Sequence, residues 1–222
     1  MIDVLIEPLA FPFMQRAFLA AGFTAVVCAL VGTFVVLKGL AFMGDAVAHS
    51  SLAGMSVAYF LGSNIFWGAL GWAVPASLLI TFISRRANLR PDASIGIIFA
   101  CGFALGIILM SRVTGYAADL LGLLFGNVLG ISWAEVSLIG GIAAAVSLVI
   151  TALYKEMLFT SSDATMSAAS GIPVRFMQYL LPVLVGVTTV ASLKAVGIVL
   201  VLALLVTPSA TAMMLARRMP SI

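Results

Sequence analysis

Asp45 and His49 stand four residues apart in the stretch MGDAVAHSSLAG (Met43–Gly54), and His49 is the single histidine of the chain. On a helix that spacing places both side chains on one face. A carboxylate and an imidazole are together suitable ligands for manganese, iron or zinc. Two ligands make half a site, and a second copy across a two-fold axis would bring two aspartates and two histidines together. The same pair has a plainer use as a structural hydrogen bond at a helix start, with Asp45 as the N-terminal cap. The neighbours tilt the balance towards chemistry. Gly44, Ala46, Ala48, Ser50, Ser51, Ala53 and Gly54 are all small, and small residues let backbones approach closely at a helix seam or along a narrow pore.

The elements that carry this pair are apolar. Hydrophobic residues make up 63% of the 222 positions and charged residues 9%, whereas a soluble domain is about one quarter charged. The composition predicts an all-α, polytopic helical membrane protein; the short alternating segments of a β-barrel are not seen. An ionisable side chain near the centre of a span costs about 2.5–3.5 kcal/mol on insertion scales, so such residues face a partner or a water-filled path. Apolar segments run over Arg16–Leu37, Leu40–Gly62, Ile65–Ser84, Ala93–Ser111, Trp133–Tyr154, Phe176–Leu193 and Ala195–Ala216. The boundary at Lys194 reads as a break or short loop. Leu120–Gly130 is too short and glycine-rich to span and reads as a re-entrant piece buried against protein. Thr207-Pro208 predicts a kink in the last span. With the Arg85–Arg90 loop in the cytoplasm, eight of the eleven basic residues fall inside, as the positive-inside rule requires. The N-terminus is then outside, and its acidic, proline-containing start does not read as a cleaved signal peptide. No domain boundary interrupts residues 1–222, which read as one membrane domain.

Other candidates are fewer. Asp119 and Asn127 flank the short outer piece and would line an entry path or act as caps. Glu135 falls in the first turn of its helix, where its charge suits the dipole. The polar connection from Lys155 to Arg175 predicts a short helix from about Asp163 to Ser170, closed by Gly171. The eleven methionines are scattered and read as packing residues, as do Cys28 and Cys101. The chain has no G-x-x-x-x-G-K-[ST] loop for a nucleotide and no H-E-x-x-H for zinc. His49 and its neighbouring serines lie on one helix, which does not build a serine-protease triad. The basic residues lie in short loops and form no nucleic-acid patch.

Several blocks resemble, in order, those of the membrane subunits of manganese/zinc/iron ABC importers. They are FVVLKGLAFMGDAVAHSSLAG (Phe34–Gly54), RRANLRPDASIGIIFACGFALGIILMSR (Arg85–Arg112), LLFGNVLGIS (Leu123–Ser132), ASGIPVRFMQYLL (Ala169–Leu181) and AVGIVLVLALLVTPSATAMMLARR (Ala195–Arg218). The resemblance implies a type II ABC importer fold and a pore formed by two copies of the subunit in the bilayer of a prokaryotic plasma (inner) membrane. It further implies a cytoplasmic ATPase that carries the ATP and an extracellular or periplasmic metal-binding receptor. Asp45 and His49 correspond to the family's metal-handling aspartate and histidine, and residues 157–175 to the ATPase-coupling segment, with Asp163, Ala169, Gly171, Ile172 and Pro173 as its contact positions. The wording around the block is closer to manganese/iron members than to zinc members. Ser50 and Ser51 replace the alanine-like residues usual after the histidine. Members commonly continue beyond the TPSATA span, so a chain ending at Ile222 implies a truncated or a shortened member.

The reading is therefore a translocation subunit, not itself an enzyme, of an ATP-driven importer of manganese, with zinc or iron as other cargoes and no tightly bound cofactor. The competing reading is a secondary or proton-coupled transporter that uses Asp45 and His49 as a relay.

Overall fold

The structure is a computed structural model that describes residues 11–112, 126 and 128–215. The helices among these residues are α1 (Pro12–Leu37), α2 (Met43–Phe60), α3 (Ile65–Arg86), α4 (Pro91–Met110), α5 (Trp133–Ala152), α6 (Tyr154–Ser162), α7 (Ala164–Ala169) and α8 (Val174–Leu215), with a 3-10 turn at Val128–Gly130. There is no strand among the described residues. Local chemistry sets many of the starts. Pro12 and Pro91 occupy the first turns of α1 and α4, where a missing N–H costs nothing. Asn64 Oδ1 accepts from the Phe66 amide at 2.9 Å to cap α3. Ser132 and Glu135 form a reciprocal capping box at the head of α5, which satisfies two otherwise orphaned amides.

Among the described residues five helices, α1, α3, α4, α5 and α8, are long and apolar enough to cross a membrane. The fifth is two limbs. At 1.5 Å per residue its 42 residues would reach about 63 Å, twice a bilayer's hydrocarbon core. Gly197 interrupts it with φ 79° and ψ 168°. A methyl group placed on Gly44 would lie 3.6 Å from Thr189 Oγ1 and 3.7 Å from a Leu205 methyl carbon. Along an unbroken helix Thr189 and Leu205 would be about 24 Å apart; both meet Gly44 because the chain folds back at Gly197. The sequence reading of two spans stands, and the break falls at Gly197, with helix continuing through Lys194. Pro182 and Pro208, the second of them where a kink is expected, both lie inside helical stretches, and the non-helical backbone is at Gly197. Glycine wins there because this backbone region is closed to residues with a Cβ.

The α2 helix is the centre of the bundle, packed against α3, α4 and α8. Lipid offers no hydrophobic drive to helix association, so close approach and van der Waals contact must supply it. A methyl on Gly54 would fall 2.2 Å from the Gly68 carbonyl oxygen, which fixes α2 against α3. A methyl on Gly102 would fall 2.5 Å from Ser50 Cβ, and one on Gly106 would fall 2.8 Å from Leu52 Cγ, which fixes α2 against α4. The Ser56 hydroxyl lies 3.2 Å from the Gly106 carbonyl across the same seam. Of the short outer piece, Gly126 packs against the reversal: its Cβ would meet Gly197 N at 2.6 Å. Asp119 and Asn127 lie outside the described residues.

Candidate metal site

The site begins with the way α2 is sheathed. From Met43 to Ser56 every residue is buried except Asp45 and His49. Their side chains are 31% and 23% accessible, so the one opening along four turns of the central helix is lined by its carboxylate and its imidazole. The helix starts at Met43 with Phe42 as its N-cap and no side-chain cap bond. Asp45 is thus in the first turn and is not the cap considered from the sequence. Its carboxylate is free to face the opening while its charge suits the helix N-terminus.

His49 Nδ1 lies 3.2 Å from Asp45 Oδ1 and 3.0 Å from the Asp45 backbone oxygen. Both neighbours are acceptors, so Nδ1 donates to them, and in the neutral ring the lone pair is on Nε2. That is the arrangement of a metal-binding imidazole whose other nitrogen is held by a carboxylate. The ring also stands edge-on against Phe99 and Phe103 of α4, with centroids 5.5 and 5.7 Å away. Those two phenyl rings are stacked on each other, with planes 10° apart. The sequence reading missed these aromatics. They recur at one-turn spacing on a span brought close by Gly102 and Gly106, and that Gly-x-x-x-Gly pattern was the legible signal. Ser50 and Ser51 point elsewhere: both are buried and donate to the Val47 and Ala48 carbonyls.

No group of three or more His, Cys, Asp or Glu side chains converges among the described residues. One chain offers two ligands. Cys28 is buried and packs beside Ser192, with 3.7 Å between Sγ and Oγ, while Cys101 is exposed on the outer face of α4. Cys101 is thus not packed inside this single chain. At the opposite end of the bundle, Glu135 pairs with Lys194, joining the head of α5 to the first limb of α8.

The connection after α5 is helical in two pieces. The expected short helix is present as α7. Asp163 Oδ1 accepts from the Thr165 and Met166 amides at 2.8 and 3.0 Å. At the other end Gly171, at φ +80°, donates to the Ala168 carbonyl, and Ile172 donates to that of Ser167. This is a Schellman closure, which requires a residue able to adopt left-handed backbone. Asp163, Ala169, Gly171, Ile172 and Pro173 are thereby brought into one rigid corner between α6 and α8. The added helix α6 carries no cap signal of its own, since no side chain caps it.

A bundle of long apolar helices around a central, small-residue helix is the architecture of a multi-pass membrane protein. The chain belongs to the ABC 3 transport family, whose profile matches residues 10–222, the membrane permeases of manganese, zinc and iron ABC importers of prokaryotic plasma membranes. It is 41% identical over 212 residues to the manganese transport system membrane protein MntC of Halalkalibacterium halodurans, covering 96% of this chain and 73% of that protein. It is 39% identical to the manganese import system permease protein ScaB of Streptococcus gordonii, over 93% of this chain and 74% of that one. It is 37% identical to the chelated iron transport system membrane protein YfeD of Yersinia pestis, over 98% and 73%. Among solved structures, PsaBC from Streptococcus pneumoniae in complex with Fab superposes with a TM-score of 0.85 at 36% identity, covering 100% of this chain and 80% of that one.

Proposed function

We propose that this chain forms the translocation pathway of an ATP-driven importer of divalent transition metal, with manganese as the cargo, and that Asp45 and His49 handle the ion in transit. The observation that carries the reading is the opening of α2 at those two side chains, the only accessible ones between Met43 and Ser56. Two copies of the chain would supply two carboxylates and two imidazoles, a mixed oxygen and nitrogen set suited to manganese or iron. A pathway ligand must release its ion as well as bind it, and a pair split across a movable seam suits that better than a closed cage. The similarity to two permeases named for manganese supports that metal over zinc.

ATP hydrolysis belongs to a separate cytoplasmic subunit, and a metal-binding receptor delivers the ion from outside. Residues 157–175 are the ATPase-coupling segment. The capped corner at Asp163 and Gly171 supports this, because a push on α7 is transmitted to the start of α8 rather than lost in a loose loop. The test is uptake into proteoliposomes that hold the permease and its ATPase, with receptor and radiolabelled manganese outside. Uptake requires enclosed ATP and is indifferent to a proton gradient. Uptake driven by a proton gradient without ATP would establish a secondary carrier instead.

A further inference from the structure

At the end of the bundle that carries the Arg85–Arg90 loop, six elements surround a cavity of about 480 Å³ whose lining includes neither Asp45 nor His49. Its wall has two characters. Leu37, Ile80 and Pro182 give an apolar side, while Lys38, Arg85, Ser84, Gln178 and Ser161 give a polar one. No carboxylate of the described residues lines it. Arg85 is held by Gln178 Oε1 and by the Tyr179 ring, whose centroid is 6.0 Å from its guanidinium carbon, with no acidic partner among the described residues. The Lys38 ammonium is half-buried and has neither ion pair nor hydrogen bond among the described residues. Burial holds its pKa below the ordinary lysine value, with no neighbouring anion to oppose the shift. Withdrawing a cation even partly from water without a partner is costly, and such a group is normally paired. Two cations, hydroxyl and amide donors, and an apolar wall at the level where spans meet the cytoplasm suit a phosphate that arrives attached to an acyl chain.

We propose that this cavity binds the phosphate group of an anionic phospholipid of the cytoplasmic leaflet, with Lys38 and Arg85 as its charged ligands. Thr160 and Ser161 of α6 share the wall with the ends of α1 and α3, so a bound headgroup ties the segment after α5 to the spans. The inference uses the topology and stands whether or not Asp45 and His49 handle metal.

The experiment uses the full native permease purified with its ATPase and placed in nanodiscs of phosphatidylcholine alone or mixed equally with phosphatidylglycerol. Retained lipid is counted by native mass spectrometry. Phosphatidylglycerol is retained in preference to phosphatidylcholine. That preference falls about fivefold in Lys38→Gln or Arg85→Gln and about 25-fold in the double variant. Lys38→Arg keeps it, and Arg86→Gln, which removes a charge outside the cavity, leaves it unchanged. Unfolding in phosphatidylcholine alone is the folding control and is the same for all variants. The absence of a preference in the native protein, or its persistence in the double variant, overturns the proposal. If inorganic phosphate displaces phosphatidylglycerol at millimolar concentration, the ligand is a soluble anion and the lipid assignment falls. If the preference exists only when the ATPase is removed, the cavity belongs to the protein interface and the proposal fails.

Discussion

Gly102→Ala adds one methyl group at the place where α4 meets α2, and the structure sets what it does. That methyl would sit 2.5 Å from Ser50 Cβ and 3.0 Å from Ser50 Cα. Carbon atoms pack at about 3.5–4.0 Å, so the helices must part by about 1 Å at this level. The nearest atoms belong to the root of Ser50, so no side-chain rotation relieves the clash. Overpacking costs about 1–3 kcal/mol, and replacing a mid-helix glycine returns about 0.5–1 kcal/mol. The net loss is about 0.5–2 kcal/mol, or a fall in melting temperature of a few degrees at roughly 2–4 °C per kcal/mol. The functional loss exceeds the stability loss, because the wedge opens next to His49 and pulls Phe99 and Phe103 off its ring. The assay is thermal unfolding of the purified permease alongside metal uptake at matched expression. Gly71→Ala is the control: nothing lies within 4 Å of its added methyl, and it is neutral or slightly stabilising. A Gly102→Ala protein as stable and active as the Gly71→Ala protein would refute the argument that close packing of α2 and α4 holds the site.

Three more outcomes follow from particular contacts. Gly197→Ala places a Cβ on backbone at φ 79° and ψ 168°; it costs about 1–3 kcal/mol, read as lower thermal stability and easier proteolysis at the hairpin. Asp163→Ala removes the acceptor for two amides of α7; it costs about 1 kcal/mol locally and weakens co-purification with the ATPase, while Asp163→Asn retains both. Lys194→Gln breaks the pair with Glu135, and because the lysine is 59% accessible it changes stability by less than about 1 kcal/mol, measured by thermal unfolding. A large loss there would mean the pair holds the outer end of the bundle closed.

The sequence carried the architecture because the strongest signals in it are long apolar runs and charged loops. Those runs exceed any soluble helix face, and their ends agree with the helices within a few residues. Position of the break in α8 was harder. Lys194 and Pro208 are visible interruptions in composition, whereas Gly197 sits inside an unbroken apolar run and acts through backbone angles alone. The short helix before Gly171 was legible because both its ends are written in side-chain chemistry, and α6 was not because neither of its ends is. At the site, the spacing of Asp45 and His49 gave the shared face. What it did not give was that all other residues from Met43 to Ser56 are enclosed. That follows from neighbours on α3, α4 and α8, which a local pattern does not specify. Phe99 and Phe103 were hidden for the same reason, since their partner lies on another helix.

The central claim is that the opening at Asp45 and His49 is the route of the ion. It is tested most directly by radiolabelled manganese uptake in cells that lack their own importer and carry the full transport system. The permease would be intact, Asp45→Ala or His49→Ala, at matched membrane expression and with unfolding temperatures measured on each purified protein. The account predicts uptake with the intact subunit and its loss in both variants while the proteins remain folded. Well-folded variants that import manganese at the intact rate would show that the pair only braces α2 and that the ion crosses elsewhere.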